Sequence, residues 1–436
     1  MKSLVLKKIA ETVRNNPRRI AYKVNNKSIT YKELWEKANL NAALFKKQGK
    51  APIIIYGSKE IENFIAMISC LIAGRAYVPV NRNTPAQRIN EIKSAISSLD
   101  ADGIAYIMFT SGSTGKPKMV PISVENLDNF ASWVSNLKPL SEYTGCNVLN
   151  QAGFGFDLSV ADIYYSLSNG HTLVAMDLDT ASEYSSIYPL FCREKINVAV
   201  LTPTFIRLCL LEENFNHSNC PELKCIYTCG EPLDKKIVQK LFAKFPSIKL
   251  INAYGPTEAT SAVSGIVVTE AMLNDEKPLP VGDMKTNATE IIIDSGEIVL
   301  KGKSVSPWYL EGGPDGFYRT GDLGYIQDGL LYCLGRRDSQ VKYKGYRIEL
   351  MDIENNIKEI PGVRDCAVTA SYTAEHTAKT IKAFVSAEAQ EYDSSYIRKE
   401  LEKKIPDYMI PKTITILDSL PMNQNGKIDR KKLAEL

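Results

Sequence analysis

Hydrophobic residues recur along this chain with three different rhythms. ITYKELWEKANLNAALFKKQG (29–49) repeats apolar positions at i, i+3, i+4 and i+7, and MKSLVLKKIAETVRNN before it is amphipathic. Residues 1–50 therefore read as helical. Continuous apolar runs follow: APIIIYG (51–57), AYVPV (76–80), IAYIMF (104–109), HTLVAMD (171–177), NVAVLTP (197–203), CIYTCG (225–230) and IKLINAYG (248–255). Helical patterns such as Glu60 to Ala73 and Leu233 to Phe245 alternate with these runs. Buried apolar strands joined by helices predict a parallel α/β sheet. From about 279 to 334 the rhythm shortens to strands and turns (GEIVLKG, GFYRTGD, GLLYCLG), a β-rich part. After Gly335-Arg336-Arg337-Asp338 the pattern becomes α+β, with CAVTASY and IKAFVSA as strands. The expected fold class is α/β: a large N-terminal domain (1–337) with parallel sheets and the β-rich part, and a small mobile α+β domain (338–436).

Composition narrows the function classes. The chain has 436 residues, 44% hydrophobic and 24% charged, with a net charge of +3. Lys and Arg are spread evenly, so neither nucleic acid nor an anionic membrane is indicated. No apolar run is long enough to cross a bilayer. The N-terminus carries charge through its apolar positions, unlike a signal peptide. The nine cysteines form no CxxC pair, so reduced thiols and a cytoplasmic location are expected. Only three histidines occur, His171, His217 and His376, none beside a recognisable nucleophile. A Ser-His-Asp hydrolase or a multi-His metal site is disfavoured.

Several loops following strands carry candidate chemistry. IMFTSGSTGKPKMVP (107–121) runs from an apolar strand into a Ser/Thr/Gly loop closed by Lys116 and Lys118. Small residues, exposed N–H groups, hydroxyls and ammonium groups suit a polyphosphate, although a plain surface turn has the same composition. Its glycine spacing is not that of a Walker A loop. In NAYGPTEAT (252–260), Tyr254 could stack on a base, Thr257 offers a hydroxyl and Glu258 a carboxylate for a magnesium ion bridging phosphates, or the segment is a capped Gly-Pro turn. YRTGDLG (318–324) sets Asp322 after a glycine turn, where a carboxylate could accept ribose hydroxyls; a simple hairpin turn is the alternative. Asp157 stands in the apolar GFDLSVAD (155–162), either as partner to a substrate ammonium or as a helix N-cap. GRRDSQVKYKGYRIEL (335–350) reads as a strand dense in cations, and NGKIDR places Lys427 on an Asn-Gly turn.

Taken together and in order, TSGSTGKPK, YGPTE, YRTGD and NGKIDR resemble the adenylate-forming superfamily, and within it the amino-acid adenylation domains. The resemblance spans essentially the whole chain. It implies that Thr110, Ser111, Gly112, Ser113, Thr114, Gly115 and Lys118 close over the β- and γ-phosphates of ATP. Tyr254 would flank the adenine, Asn252 and Gly255 would belong to the same nucleotide site, Thr257 would touch the α-phosphate, and Glu258 would hold Mg2+. Asp322 would take the ribose hydroxyls with Arg337 nearby. Lys427 would reach the carboxylate and α-phosphate, and Asp338 would be the hinge about which the small domain turns for thiol attack.

The same resemblance points to the acid. Asp157 matches the position that binds an α-ammonium, with Leu158, Ala161, Cys229, Gly230 and Ala253 forming the pocket. FDLSVxDxY, TPTF and CGEPL are similar to D-alanine–carrier protein ligases, which makes D-alanine the leading substrate and a phosphopantetheine-bearing carrier protein the acceptor. Asp418-Ser419-Leu420 does not form a carrier attachment site, because Pro421 follows; the carrier would act in trans. Ala161 and Ala253 stand where those ligases commonly carry Met and Thr, so a larger small-to-medium amino acid is the alternative substrate. An acyl-CoA ligase is disfavoured by Asp157. Met119 replaces a usual glycine, and the chain is compact before the phosphate loop and across Ile291 to Tyr318.

Overall fold

The computed structural model describes residues 3–112, 114–177, 180, 183–311, 316–337, 340–372, 378–387, 392–422 and 428–434. Packing divides the chain into two units. The first comprises Met1–Arg82, Ser98–Met108 and Val120–Gly335; the second comprises Asn83–Ser97, Phe109–Met119 and Arg336–Leu436.

The first unit is built on an eight-stranded sheet. Its strands lie in the order Ser264–Val267, Lys249–Tyr254, Cys225–Thr228, Val198–Leu201, Asn147–Asn150, Thr172–Ala175, Ile20–Val24 and Lys27–Thr30. The inner pairs are parallel and both outermost pairs antiparallel. Val198–Leu201 and Cys225–Thr228 are buried at every position, as strands covered on both faces must be. The helix Leu158–Ser168 is buried on all sides, which is why its sequence shows little amphipathic bias. Strands Ile53–Gly57, Tyr77–Asn81, Ile104–Thr110 and Lys118–Ser123 make a four-stranded sheet, and five short strands between Gly282 and Arg336 make the β-rich part.

The second unit has its own apolar core. Strands Val363–Tyr372, Ala378–Ala387 and Thr413–Leu417 form a sheet, packed with Leu350–Lys358 and Ser394–Glu402 around Ile353, Ile357, Val368, Ile381 and Leu401. Gln340–Tyr343 and Tyr346–Glu349 pair as a hairpin, so GRRDSQVKYKGYRIEL contributes two strands.

Two sequence expectations need correction. Residues 1–50 are not wholly helical: a hairpin, Ile20–Val24 with Lys27–Thr30, separates the helices Leu4–Asn15 and Tyr31–Lys47. Asn25 turns it with a left-handed φ of 53°, and Thr30 with Glu33 then forms a capping box that starts the next helix. Asp322 does not sit on a hairpin turn. It lies inside the strand Tyr318–Gln327, where the register slips between the pairs Val299–Arg319 and Glu297–Leu323. Tyr318, Thr320, Asp322 and Gly324 are buried in ordinary alternation along the strand, so the carboxylate points inward.

Candidate active site

In the first unit, Tyr254 and Asp322 come together. The Tyr254 hydroxyl donates to Asp322 Oδ2 at 2.7 Å, with both side chains buried. Burial and the neighbouring carboxylate push the phenol far up, so it stays a donor. The Asp322 amide donates to Thr320 Oγ1 at 3.0 Å, and that hydroxyl donates to Ile298 O at 2.7 Å. Asn252 is held by its amide donating to Pro280 O at 2.8 Å. Gly255 is required by close approach: a Cβ there would lie 2.5 Å from Ala262 Cα. Thr257 and Glu258 follow on a short 3-10 turn and are buried, Glu258 completely. Thr260 and Ser261 adopt left-handed backbone (φ 62° and 70°), held by Thr260 Oγ1 donating to Ser304 O at 2.8 Å. Non-glycine residues in that conformation mark a site whose surroundings over-determine it.

Asp157 occupies the N-cap position of Leu158–Ser168 but makes no side-chain cap bond to it. The capping alternative is therefore not what the side chain does. Leu158 and Ala161 on that helix share one apolar cluster with Cys229 and Ala253. Cys229 follows Thr228, whose register partner is Asn252, so Cys229 leaves its strand beside Ala253 of the neighbouring parallel strand. Cys229 Sγ lies 3.9 Å from Ser261 O, and Gly230 continues the same loop. The segment leading to Asp157 is anchored by a buried cation. Lys59 Nζ donates to Asn150 O and Gln151 O, both at 2.8 Å, and burial pulls its pKa down to about 7. Asn150 Nδ2 donates to Asp162, whose carboxyl is pushed up by complete burial.

Two residues that the sequence reading missed belong here. Tyr106 and Tyr227 lie in the same cluster, and both hydroxyls are buried without a protein partner. Burial raises both phenols most; the field of Asp157 comes next for Tyr106 and, after that of Cys229, for Tyr227, which places that carboxylate near them. No sequence signal marked them: Tyr22, Tyr31 and Tyr165 in the same cluster are core tyrosines too, yet donate to backbone carbonyls.

In the second unit, the Ser/Thr/Gly loop is fastened to the helix Leu350–Lys358 and the hairpin before it. Ser111 Oγ donates to Arg347 O at 2.9 Å and accepts from the Glu349 amide at 2.8 Å. Gly115, with φ 81°, closes the turn by donating to Gly112 O at 3.0 Å, and its own carbonyl accepts from Asn356 Nδ2 at 3.3 Å. Arg88 pairs with the fully buried Asp352 at 3.2 Å. Thr110 ends the incoming strand with its hydroxyl buried and without a protein partner, and Thr114 lies within the turn. Lys118 opens the next strand, and Arg337 is exposed. Ser113, Asp338 and Lys427 lie outside the described residues.

Among the described residues, the loops that the sequence singled out are thus held by hydrogen bonds to neighbouring elements. The chain also matches the model of the AMP-binding enzyme family over residues 9–98 and 90–310, and that of the AMP-binding enzyme C-terminal domain over 352–427. The chain belongs to the AMP-binding enzyme family. It is an adenylate-forming ligase. Among similar proteins, the D-alanine–D-alanyl carrier protein ligase of Bacillus licheniformis is 35% identical over 500 aligned positions, covering 99% of this chain and 98% of that one. The protein of the same name from Listeria monocytogenes is 35% identical over 507 positions, covering 99% of each. Both alignments exceed the 436 residues of this AMP-binding enzyme, so the relatives carry segments that it lacks. The fold is shared with the Vibrio cholerae adenylation domain AlmE, solved with glycyl-adenosine-5'-phosphate, at 23% identity and a TM-score of 0.85, covering 100% of this chain and 98% of that one. Among the described residues, no helix is long and apolar enough to cross a membrane, and no group of three His, Cys, Asp or Glu side chains could hold a metal ion.

Proposed function

We propose that this AMP-binding enzyme activates D-alanine as D-alanyl-AMP and passes the acyl group to the phosphopantetheine thiol of a carrier protein acting in trans. The observation that carries this reading is that Leu158, Ala161, Cys229 and Ala253 share one apolar cluster next in sequence to Asp157, in a chain 35% identical to D-alanine–D-alanyl carrier protein ligases along its whole length. Asp157 receives the substrate ammonium, and the unpaired hydroxyls of Tyr106 and Tyr227 supply polar contacts within an otherwise apolar wall. Asp322, steadied by Tyr254, accepts the ribose hydroxyls. Thr110 to Lys118 hold the outer phosphates, and Thr257 holds the α-phosphate.

A carboxylate is already a nucleophile, so its attack on the α-phosphate needs alignment and neutralised charge, not a general base. The carboxylate oxygen bonds to the α-phosphorus as the bond to pyrophosphate breaks. Lys427 neutralises charge at that centre. A magnesium ion fits as a companion of the nucleotide: the polar set offers one fully buried carboxylate, Glu258, and an ion carried on phosphates takes only one or two protein ligands. When bound, it would neutralise phosphate charge, with Glu258 holding it. Arg337 stays near the ribose, and Asp338 is the hinge for the second half-reaction.

A second reading, the same chemistry on another small or medium amino acid, is favoured by Ala161 and Ala253. Each carries only a methyl as its side chain. Amino-acid-dependent ATP–pyrophosphate exchange across D- and L-amino acids separates the two. Exchange strongest with D-alanine is expected; exchange with larger side chains but not alanine would overturn the substrate, and none with any amino acid would overturn the activity.

A further inference from the structure

Outside the adenylating residues, two thiols face each other. Cys192 Sγ and Cys220 Sγ lie 3.1 Å apart, 28 positions apart in sequence. A covalent sulfur–sulfur bond is about 2.05 Å, so about 1 Å of approach separates the contact from a disulfide. Both side chains are held in facing positions by their backbones. Cys192 lies in the last turn of the helix Tyr184–Arg193, which closes through Glu194 N donating to Leu190 O at 3.0 Å and Lys195 N to Cys192 O at 3.2 Å. Cys220 closes a tight turn: its amide donates to Asn216 O at 2.9 Å, and Asn219 donates from its side chain to Asn214 O at 3.0 Å.

Their exposures differ in a useful way. Cys220 is buried, and burial with its thiol neighbour pushes its pKa up, so it rests as a protonated thiol. Cys192 is half-buried, its thiol also 3.2 Å from Asn219 O at the surface side of the pair. Such a pair, one sulfur reachable and the other waiting behind it, is the arrangement of a redox-responsive site.

We propose that Cys192 and Cys220 form a reversible intrachain disulfide when the protein meets a hydroperoxide. Cys192 attacks the peroxide, breaking its O–O bond: the thiol becomes a sulfenic acid and the peroxide leaves as an alcohol, or as water from hydrogen peroxide. Cys220 sulfur then bonds to Cys192 sulfur as the S–OH bond breaks, and the Cys220 proton leaves with the hydroxyl as water. A dithiol reductant reverses the step by two thiol exchanges. The bond ties the helix Tyr184–Arg193 to the turn at Cys220 and encloses the strand Val198–Leu201 and the helix Pro203–Cys209. The latter reaches the pocket loop through Thr204 N donating to Glu231 Oε2 at 2.8 Å. Because only about 1 Å of approach is needed, closing the loop constrains the unfolded chain at small cost to the native one, and the oxidised protein unfolds at a higher temperature.

The test is independent of catalytic activity. The protein is treated with hydrogen peroxide, unfolded in acid, labelled with N-ethylmaleimide and digested for mass spectrometry. One linked peptide pair containing Cys192 and Cys220 is expected, lighter by two hydrogens and lost after dithiothreitol, with the other seven of nine cysteines labelled. The melting temperature of the oxidised form should rise. With Cys192→Ser, Cys220 should remain labelled after the same treatment; with Cys220→Ser, Cys192 should be trapped by dimedone as the sulfenic acid. Recovery of both wild-type cysteines as maleimide adducts would overturn the proposal. So would recovery of Cys192 as sulfinic acid with Cys220 labelled, a linkage between other cysteines, or a lowered melting temperature.

Discussion

Tyr254→Phe removes one oxygen and tests how the nucleoside end of the site is built. The lost group donates to Asp322 Oδ2 at 2.7 Å, with Tyr254 4% and Asp322 2% exposed. Hydrogen bonds to charged groups contribute about 1.5–3 kcal/mol, and a buried carboxylate deprived of a donor loses much of that. Urea unfolding should therefore show a loss of about 1.5–3 kcal/mol with an unchanged m-value. If Asp322 takes the ribose, the same perturbation reaches ATP. With 1.4 kcal/mol per tenfold, KM for ATP in pyrophosphate exchange should rise by about tenfold or more. KM for the amino acid should stay within about twofold, because Asp157 belongs to a different part of the unit. A destabilised variant with wild-type KM for ATP would refute the assignment of Asp322. A variant unchanged in both would refute the hydrogen bond.

Four further outcomes are expected. Gly255→Ala puts a Cβ 2.5 Å from Ala262 Cα, backbone that cannot step aside; the strain costs about 1–3 kcal/mol or more and displaces the Thr257–Glu258 turn, so exchange should collapse while circular dichroism keeps its shape. Tyr227→Phe removes a buried hydroxyl with no protein partner, so stability should hold or rise slightly while KM for the amino acid increases; a stability loss above about 1 kcal/mol would mean that the hydroxyl is satisfied within the fold. Asp157→Ala should raise the amino-acid KM by about 100-fold or more with ATP affinity nearly unchanged, and equal losses for both substrates would refute an ammonium-binding role. His171, buried and held to a pKa of about 4 against an ordinary 6.5, is protonated more readily in the unfolded chain. Its contribution is intact above pH 6.5 and is lost as pH falls from 6.5 to 4, by about 3 kcal/mol. The difference between wild type and His171→Gln in unfolding free energy should change by that amount across the window, and a pH-independent difference would refute it.

The fold was legible where burial left a continuous apolar run. Val198–Leu201, Cys225–Thr228 and Lys249–Tyr254 are sheet strands covered on both sides, and their sequences carry little else. The hairpin at Ile20–Thr30 was not legible as such, because two short strands around an Asn-Asn turn lie between strong helical patterns. Asp157, Leu158, Ala161, Cys229 and Ala253 could be named from the chain, and four of them share one cluster with Tyr227. Tyr106 and Tyr227 looked like ordinary strand core, since sequence does not show whether a phenol has a partner. Asp322 follows Gly321, whose φ of 75° is the glycine turn that the motif suggested, but that turn is a register slip inside a strand, which leaves no mark on a hydrophobic pattern. Cys192 and Cys220 could not be paired from spacing at all; the intervening strand and helix bring them together.

The central claim is that this AMP-binding enzyme cleaves ATP at the α-phosphate to activate D-alanine. It is tested most directly by incubating the protein with ATP, magnesium, D-alanine and hydroxylamine and following both halves of the reaction. The account predicts D-alanine hydroxamate with equal amounts of AMP and pyrophosphate, and far less product with L-alanine. Formation of ADP and inorganic phosphate, or hydroxamate yields equal for the two enantiomers, would contradict it.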